Sequence, residues 1–223
     1  MSNNYSWNSH LNGNNLKGKD KVIGLVPKLS QRVGMLAKLN KYMTREQFKQ
    51  TCDGIFTSCL LYCLPLFCNA MDDSIRRFHA FTKNDCRKLQ VLQNKVLRLK
   101  TKNFEMNTPT QNLLNATGDL SVHQLGAYHT MVTANRIIRT GQPKYLADRL
   151  VPRQPQPDQA FPARHSNTIS VNCELTLSRC GFLYRAARIW NLMPPTLRET
   201  ARQEVFKTGL RKWILETIPR KPP

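Results

Sequence analysis

The sequence predicts a mainly α chain, a helical bundle followed by a small α+β C-terminal segment. Three observations predict it. Apolar residues recur at helical spacing, most regularly from Asn84 to Thr101, where Leu89, Leu92, Val96 and Leu99 fall at i, i+3, i+7 and i+10. Helix-start signatures of the Ser/Thr-x-x-Gln type recur at Thr44, Thr108 and Ser121. Beyond a proline-rich stretch the period changes from helical to two.

Taken in order, residues 1–20 are rich in Asn, Gly and Ser and read as irregular, with Trp7 the one large anchor. Residues 21–104 read as a helical bundle. Val22, Leu25, Val26, Leu29, Val33, Leu36 and Leu39 recur at helical spacing, with Pro27 and Gly34 interrupting the pattern. Thr44 and Gln47 form a capping box that starts the next helix, which runs into an uncharged stretch of 18 residues, Gly54 to Met71. Pro65, the polar Thr57, Ser58 and Asn69, and acidic flanks at Asp53 and Asp72 argue for a buried, kinked helix instead of a membrane span. Met71 to Thr82 is a connector.

The helix from Asn84 to Thr101 follows. Away from its apolar stripe it carries Arg87, Lys88, Lys95, Arg98 and Lys100, with Lys83 and Lys102 just outside and Asp85 as the only offset. A lone helix of this kind is ordinarily a solvated surface helix. Residues 105–150 read as a helical extension: a short helix opened by the Thr108 box with Pro109 first and closed by Gly118, a longer one from Ser121 to Gly141, and a last short piece from Pro143 to Leu150.

Residues 151–167 contain the Pro-rich linker. Residues 168–217 form the C-terminal segment, in which Ile169, Val171, Cys173, Leu175 and Leu177 alternate with polar residues as in a half-buried strand. Helices over Gly181–Leu192 and Thr200–Thr217 complete it, and residues 218–223 are a tail. Arg185 and Arg188 flank Trp190, and the arginines are candidates for a phosphate-facing surface while the tryptophan reads as a core anchor.

Charge narrows the function classes. The chain holds 34 Lys and Arg against 14 Asp and Glu, a formal charge of +20 and a pI near 10.1. An excess of this size points to a polyanionic partner, nucleic acid first and an anionic membrane surface second. The seven cysteines are odd in number and the N-terminus lacks an apolar signal core, so free thiols in an intracellular compartment, cytoplasm or nucleus, are expected. Cys52, Cys59 and Cys63 lie near one helical face, where they read as small apolar residues and not as a zinc site. No metal site or cofactor is expected. Met71-Asp72-Asp73 has the look of a polymerase metal pair, but it lacks β-rich flanks and an earlier carboxylate at suitable spacing.

Several stretches then occur in a telling order: Trp7-Asn8-Ser9-His10, Leu89 to Lys95 (LQVLQNK), Thr108-Pro109-Thr110 with Leu113-Leu114, Tyr145-Leu146 with Leu150, Arg188 to Pro194 (RIWNLMP), and Phe206-Lys207 with Leu210. The set resembles the C-terminal third of the reverse transcriptase polyprotein of non-LTR retrotransposons of the Jockey and chicken-repeat type. The resemblance implies a thumb-like region over roughly residues 20–100 that grips a template–primer duplex by its backbone. It implies that the carboxylate-bearing palm of the RNA-directed DNA polymerase, and the endonuclease, lie upstream, so no catalytic residue carries over. The expected activity is sequence-non-specific binding of RNA or DNA through Lys83, Arg87, Lys88, Lys95, Arg98, Lys100, Lys102, Arg185 and Arg188. The competing class is a stand-alone helical module that binds an acidic protein. A weaker third is a membrane-associated protein anchored through Gly54–Met71.

Overall fold

The computed structural model describes residues 18–62, 64, 83–152, 168–169 and 181–218. Within them lie α1 (Gly18–Leu39), α2 (Arg45–Cys52), a π-helical turn (Asp53–Thr57), α3 (Ser58–Leu61), α4 (Lys83–Thr101), α5 (Thr110–Thr117), α6 (Val122–Thr140), α7 (Lys144–Ala147), α8 (Phe182–Leu192), α9 (Pro195–Arg198) and α10 (Gln203–Thr217).

Two large apolar cores organise most of these helices, and a small third cluster of Leu97, Leu113 and Leu114 joins α5 to α4. The first joins α1, α2, the π turn, α3 and α4 through Leu29, Leu36, Phe48, Phe56, Leu60, Leu64, Leu89 and Val96. Each fully buried side chain of this size contributes about 1.5–3 kcal/mol. Pro27 lies inside α1 without ending it, on an exposed position of the helix. The second core joins α6, α8, α9 and α10 through Met131, Ala134, Ile137, Ile189, Trp190, Phe206, Leu210 and Ile214. Trp190 is one of its largest anchors, as its helical position predicts. Helix α6 links the two, since Val122 at its start belongs to the first core and Met131 to the second. The two ends of α6 therefore belong to different cores.

Two of the three expected capping boxes form. Thr44 Oγ1 accepts from the Gln47 amide and the Gln47 side chain accepts in return from the Thr44 amide, and Ser121 with Gln124 does the same. The third does not. Pro109 stands at the N-cap of α5 without a side-chain bond, and the Thr108 hydroxyl donates instead to Asn103 Oδ1 at 3.3 Å. Gly118 and Gly141 close their helices at φ +69° and +66°, a conformation costly for any residue with a Cβ.

The expected α+β C-terminal segment is corrected: the architecture is all helical, and no sheet occurs among the described residues. Its one described extended contact is an isolated antiparallel bridge between Pro152 and Ile169. At Ile169 the amide donates to Asn191 Oδ1 at 2.9 Å while the carbonyl accepts from Asn191 Nδ2 at 3.0 Å. A helix side-chain amide supplies both bonds that a neighbouring strand would have made. The rest of the alternating stretch, the Pro-rich linker, and Asp72-Asp73 lie outside the described residues. So does much of Gly54–Met71; among the described residues no helix is long and apolar enough to cross a membrane.

Candidate nucleic-acid interface

Helix α4 is fixed from three sides before its cations face anything. Leu89 is fully buried and Leu92, Val96 and Leu97 nearly so. Its polar residues do structural work too. Gln90 Oε1 accepts from the Val122 amide at 3.0 Å, satisfying one of the orphan donors at the start of α6. Gln93 Nε2 donates to the Leu120 carbonyl at 2.8 Å, and Asn94 Nδ2 donates to Thr110 Oγ1 at 2.8 Å. The run Leu89 to Lys95 thus locks α4 against α5 and α6.

The exposed side of α4 is cationic. At about 100° per residue, Arg87, Lys88, Val91, Lys95 and Arg98 fall in one arc of about 100°, and Lys102 continues it past the helix end. Arg87, Lys88, Lys95 and Lys102 are exposed and have no ion-pair partner among the described residues. Arg98 is half-buried, and its Nη2 donates to the Met106 carbonyl at 3.2 Å, so it braces the following loop. Lys83 begins the helix. On α8, Arg188 is exposed while Arg185 is buried, so only the former faces outward.

Lys100 stands apart. The same helical arithmetic puts it opposite Val91, beside Leu89 and Val96. There its ammonium is buried, 3.0 Å from Asp53 Oδ1 and 3.1 Å from Asp119 Oδ2. Burial alone pushes this lysine down, but the carboxylates of Asp119 and Asp53 outweigh it and hold the ammonium above its ordinary pKa. Lys100 is a tie between the π turn, α4 and the α5–α6 loop, and it does not join the cationic row. Nothing in the sequence marks Asp53 and Asp119 as its partners; the wheel position of Lys100 is the available signal.

The π turn is part of this arrangement. The Ser58 amide reaches back to the Asp53 carbonyl, and the Ile55 carbonyl accepts a bond from Arg32 of α1. A cleft of about 180 Å³ opens beside the triad, lined by Thr57, Gln93, Tyr128, His129 and Arg211 among others. The Cys52 thiol is pushed up to about 11 by burial, although Lys100 opposes this, and burial lowers His129. Among the described residues no group of three His, Cys, Asp or Glu side chains is placed to hold a metal ion.

Comparison with family models, with curated proteins and with solved structures finds no match to this chain.

Proposed function

We propose that the chain binds nucleic acid without sequence preference, through the phosphate backbone, and acts as a non-catalytic, thumb-like part of a non-LTR retroelement reverse transcriptase. The observation that carries the binding reading is the row Arg87, Lys88, Lys95 and Lys102, exposed and without an ion-pair partner among the described residues, along one side of a helix whose other sides are anchored. In a chain of net charge +20 such a row repels itself. A linear polyanion relieves that repulsion and gains by releasing its counterions. Reverse transcriptase kinship rests on the ordered sequence resemblance alone. An intracellular site of action, in cytoplasm or nucleus, belongs to the same proposal.

The test is an anisotropy titration of labelled RNA and DNA oligonucleotides of unrelated sequence. Affinities should be similar across sequences and fall steeply as salt rises. Binding that is salt-insensitive, or confined to one sequence, contradicts the proposal. If the true partner is an acidic protein, a pull-down will persist when excess nucleic acid is added. Primer extension on an RNA template with Mg²⁺ should give no product.

A further inference from the structure

We propose that the loop between α4 and α5 is a stacking platform, on which Phe104 receives an unpaired base of a single-stranded nucleic acid whose phosphates lie along the α4 cations. This rests on the nucleic-acid reading above and specifies its ligand. Phe104 is 62 % exposed and Met106 is 82 % exposed, large apolar side chains that folding leaves in water. An apolar pair on a slack loop would mean little, but this loop is held in one shape. Asn103 Oδ1 accepts from the Glu105 amide at 3.0 Å and from the Thr108 hydroxyl at 3.3 Å, and the Thr108 amide donates to the Glu105 carbonyl at 3.3 Å. Arg98 clamps the Met106 carbonyl from the cationic face itself. Lys102, at φ 55°, turns the chain out of α4 immediately before the platform.

The pairing of chemistries selects the partner. A cationic row that ends in a rigid exposed aromatic matches a strand whose phosphates are regularly spaced and whose bases present flat apolar faces. In a duplex those faces are stacked inside and Phe104 has nothing to cover. An anionic membrane fits less well. A membrane-surface helix lies with its apolar face in the lipid, whereas the apolar face of α4 is in the core and Glu105 sits between the two apolar tips. In a strand complex Glu105 can stay in solvent, but between two inserted side chains it could not.

The experiment compares the full-length chain with Phe104→Ala and Phe104→Trp, using labelled 20-mers of dT and rU and a 20-base-pair duplex. Vesicles of neutral lipid with one quarter phosphatidylserine serve as the membrane arm. Phe104→Ala should weaken single-strand binding about five- to 150-fold, the range for loss of one stacked base, and change duplex binding less than about twofold. Phe104→Trp should restore it. Thermal melting should be unchanged in both, because the side chain is exposed. Single-strand binding that survives Phe104→Ala overturns the platform while leaving backbone binding intact. A wild-type chain that binds neither strand nor duplex overturns the parent proposal as well. Vesicle binding that depends on Phe104, with strand binding indifferent to it, assigns the loop to a membrane and overturns the inference.

Discussion

Lys100 reaches Asp53 at 3.0 Å across 47 residues of sequence, and in doing so joins the end of α4 to the π turn. With Asp119 on its other side, the buried ammonium is the centre of a charged tie. Removing it leaves two carboxylates facing an emptied, partly buried position. Both carboxylates are partly exposed, so Lys100→Ala should cost about 1–3 kcal/mol of stability. Asp53→Asn should cost less than about 1 kcal/mol, because that carboxylate is half exposed and screened. Urea unfolding of the two variants measures the difference. Equal, small losses would mean that the tie is ornamental.

The same triad gives a pH signature. In the fold the carboxylates hold Lys100 above the ordinary 10.5, so its stabilisation is complete below that pH and is lost as pH rises through the higher folded value. The difference in melting temperature between the wild type and Lys100→Met should be constant near neutrality and shrink in strongly alkaline solution. A difference that widened there would have the wrong sign.

Gln90 offers a test of the polar lock on α4. Gln90→Leu strands the buried Val122 amide and should cost about 1–3 kcal/mol. Gln90→Glu keeps the acceptor, and the side-chain amide of Asn94 can turn to donate to it, because the Thr110 hydroxyl can donate to Asn94 in exchange. The Glu variant should therefore lose less. A larger loss for Glu than for Leu, by thermal melting, would show that the donor side of Gln90 matters more.

Much of this is legible in the sequence, for definite reasons. The stripe Leu89, Leu92, Val96 becomes the buried side of α4, and Thr44 and Ser121 cap their helices, because periodicity and caps are local signals. Thr108 does not cap because α5 begins one residue later, with Pro109 at its N-cap, while the Thr108 hydroxyl donates to Asn103 in the loop. No sheet forms among the described residues, and at Ile169 the side chain of Asn191, 22 residues away, takes the backbone groups that a strand would have paired. Lys100 departs from the cationic row for another reason. A lysine counts as surface by type, although its angle on the wheel puts it with Leu89. The exposure of Phe104 and Met106 depends on how one loop turns after Lys102, which no period encodes.

Glycines on α1 and after α5 should respond oppositely to the same change. Gly34 is exposed and helical, with open space around an added Cβ, so Gly34→Ala should stabilise by about 0.5–1 kcal/mol. Gly118 sits at φ +69°, where alanine is strained, so Gly118→Ala should destabilise. Stabilisation by both in denaturant titrations would contradict the left-handed cap.

The most direct test of the central claim reverses charge within the row. Lys88 and Lys95 are exposed and have no ion-pair partner among the described residues, so Lys88→Glu with Lys95→Glu should leave folding stability within about 0.5 kcal/mol of the wild type. Arg98 is left untouched because it braces the loop. The measurement is the slope of log affinity for a mixed-sequence oligonucleotide against log salt. The account predicts weaker binding and a slope shallower by about 2, roughly one for each phosphate that the variant no longer neutralises. An unchanged affinity and slope, in a variant that melts like the wild type, would show that this face of α4 meets no phosphate.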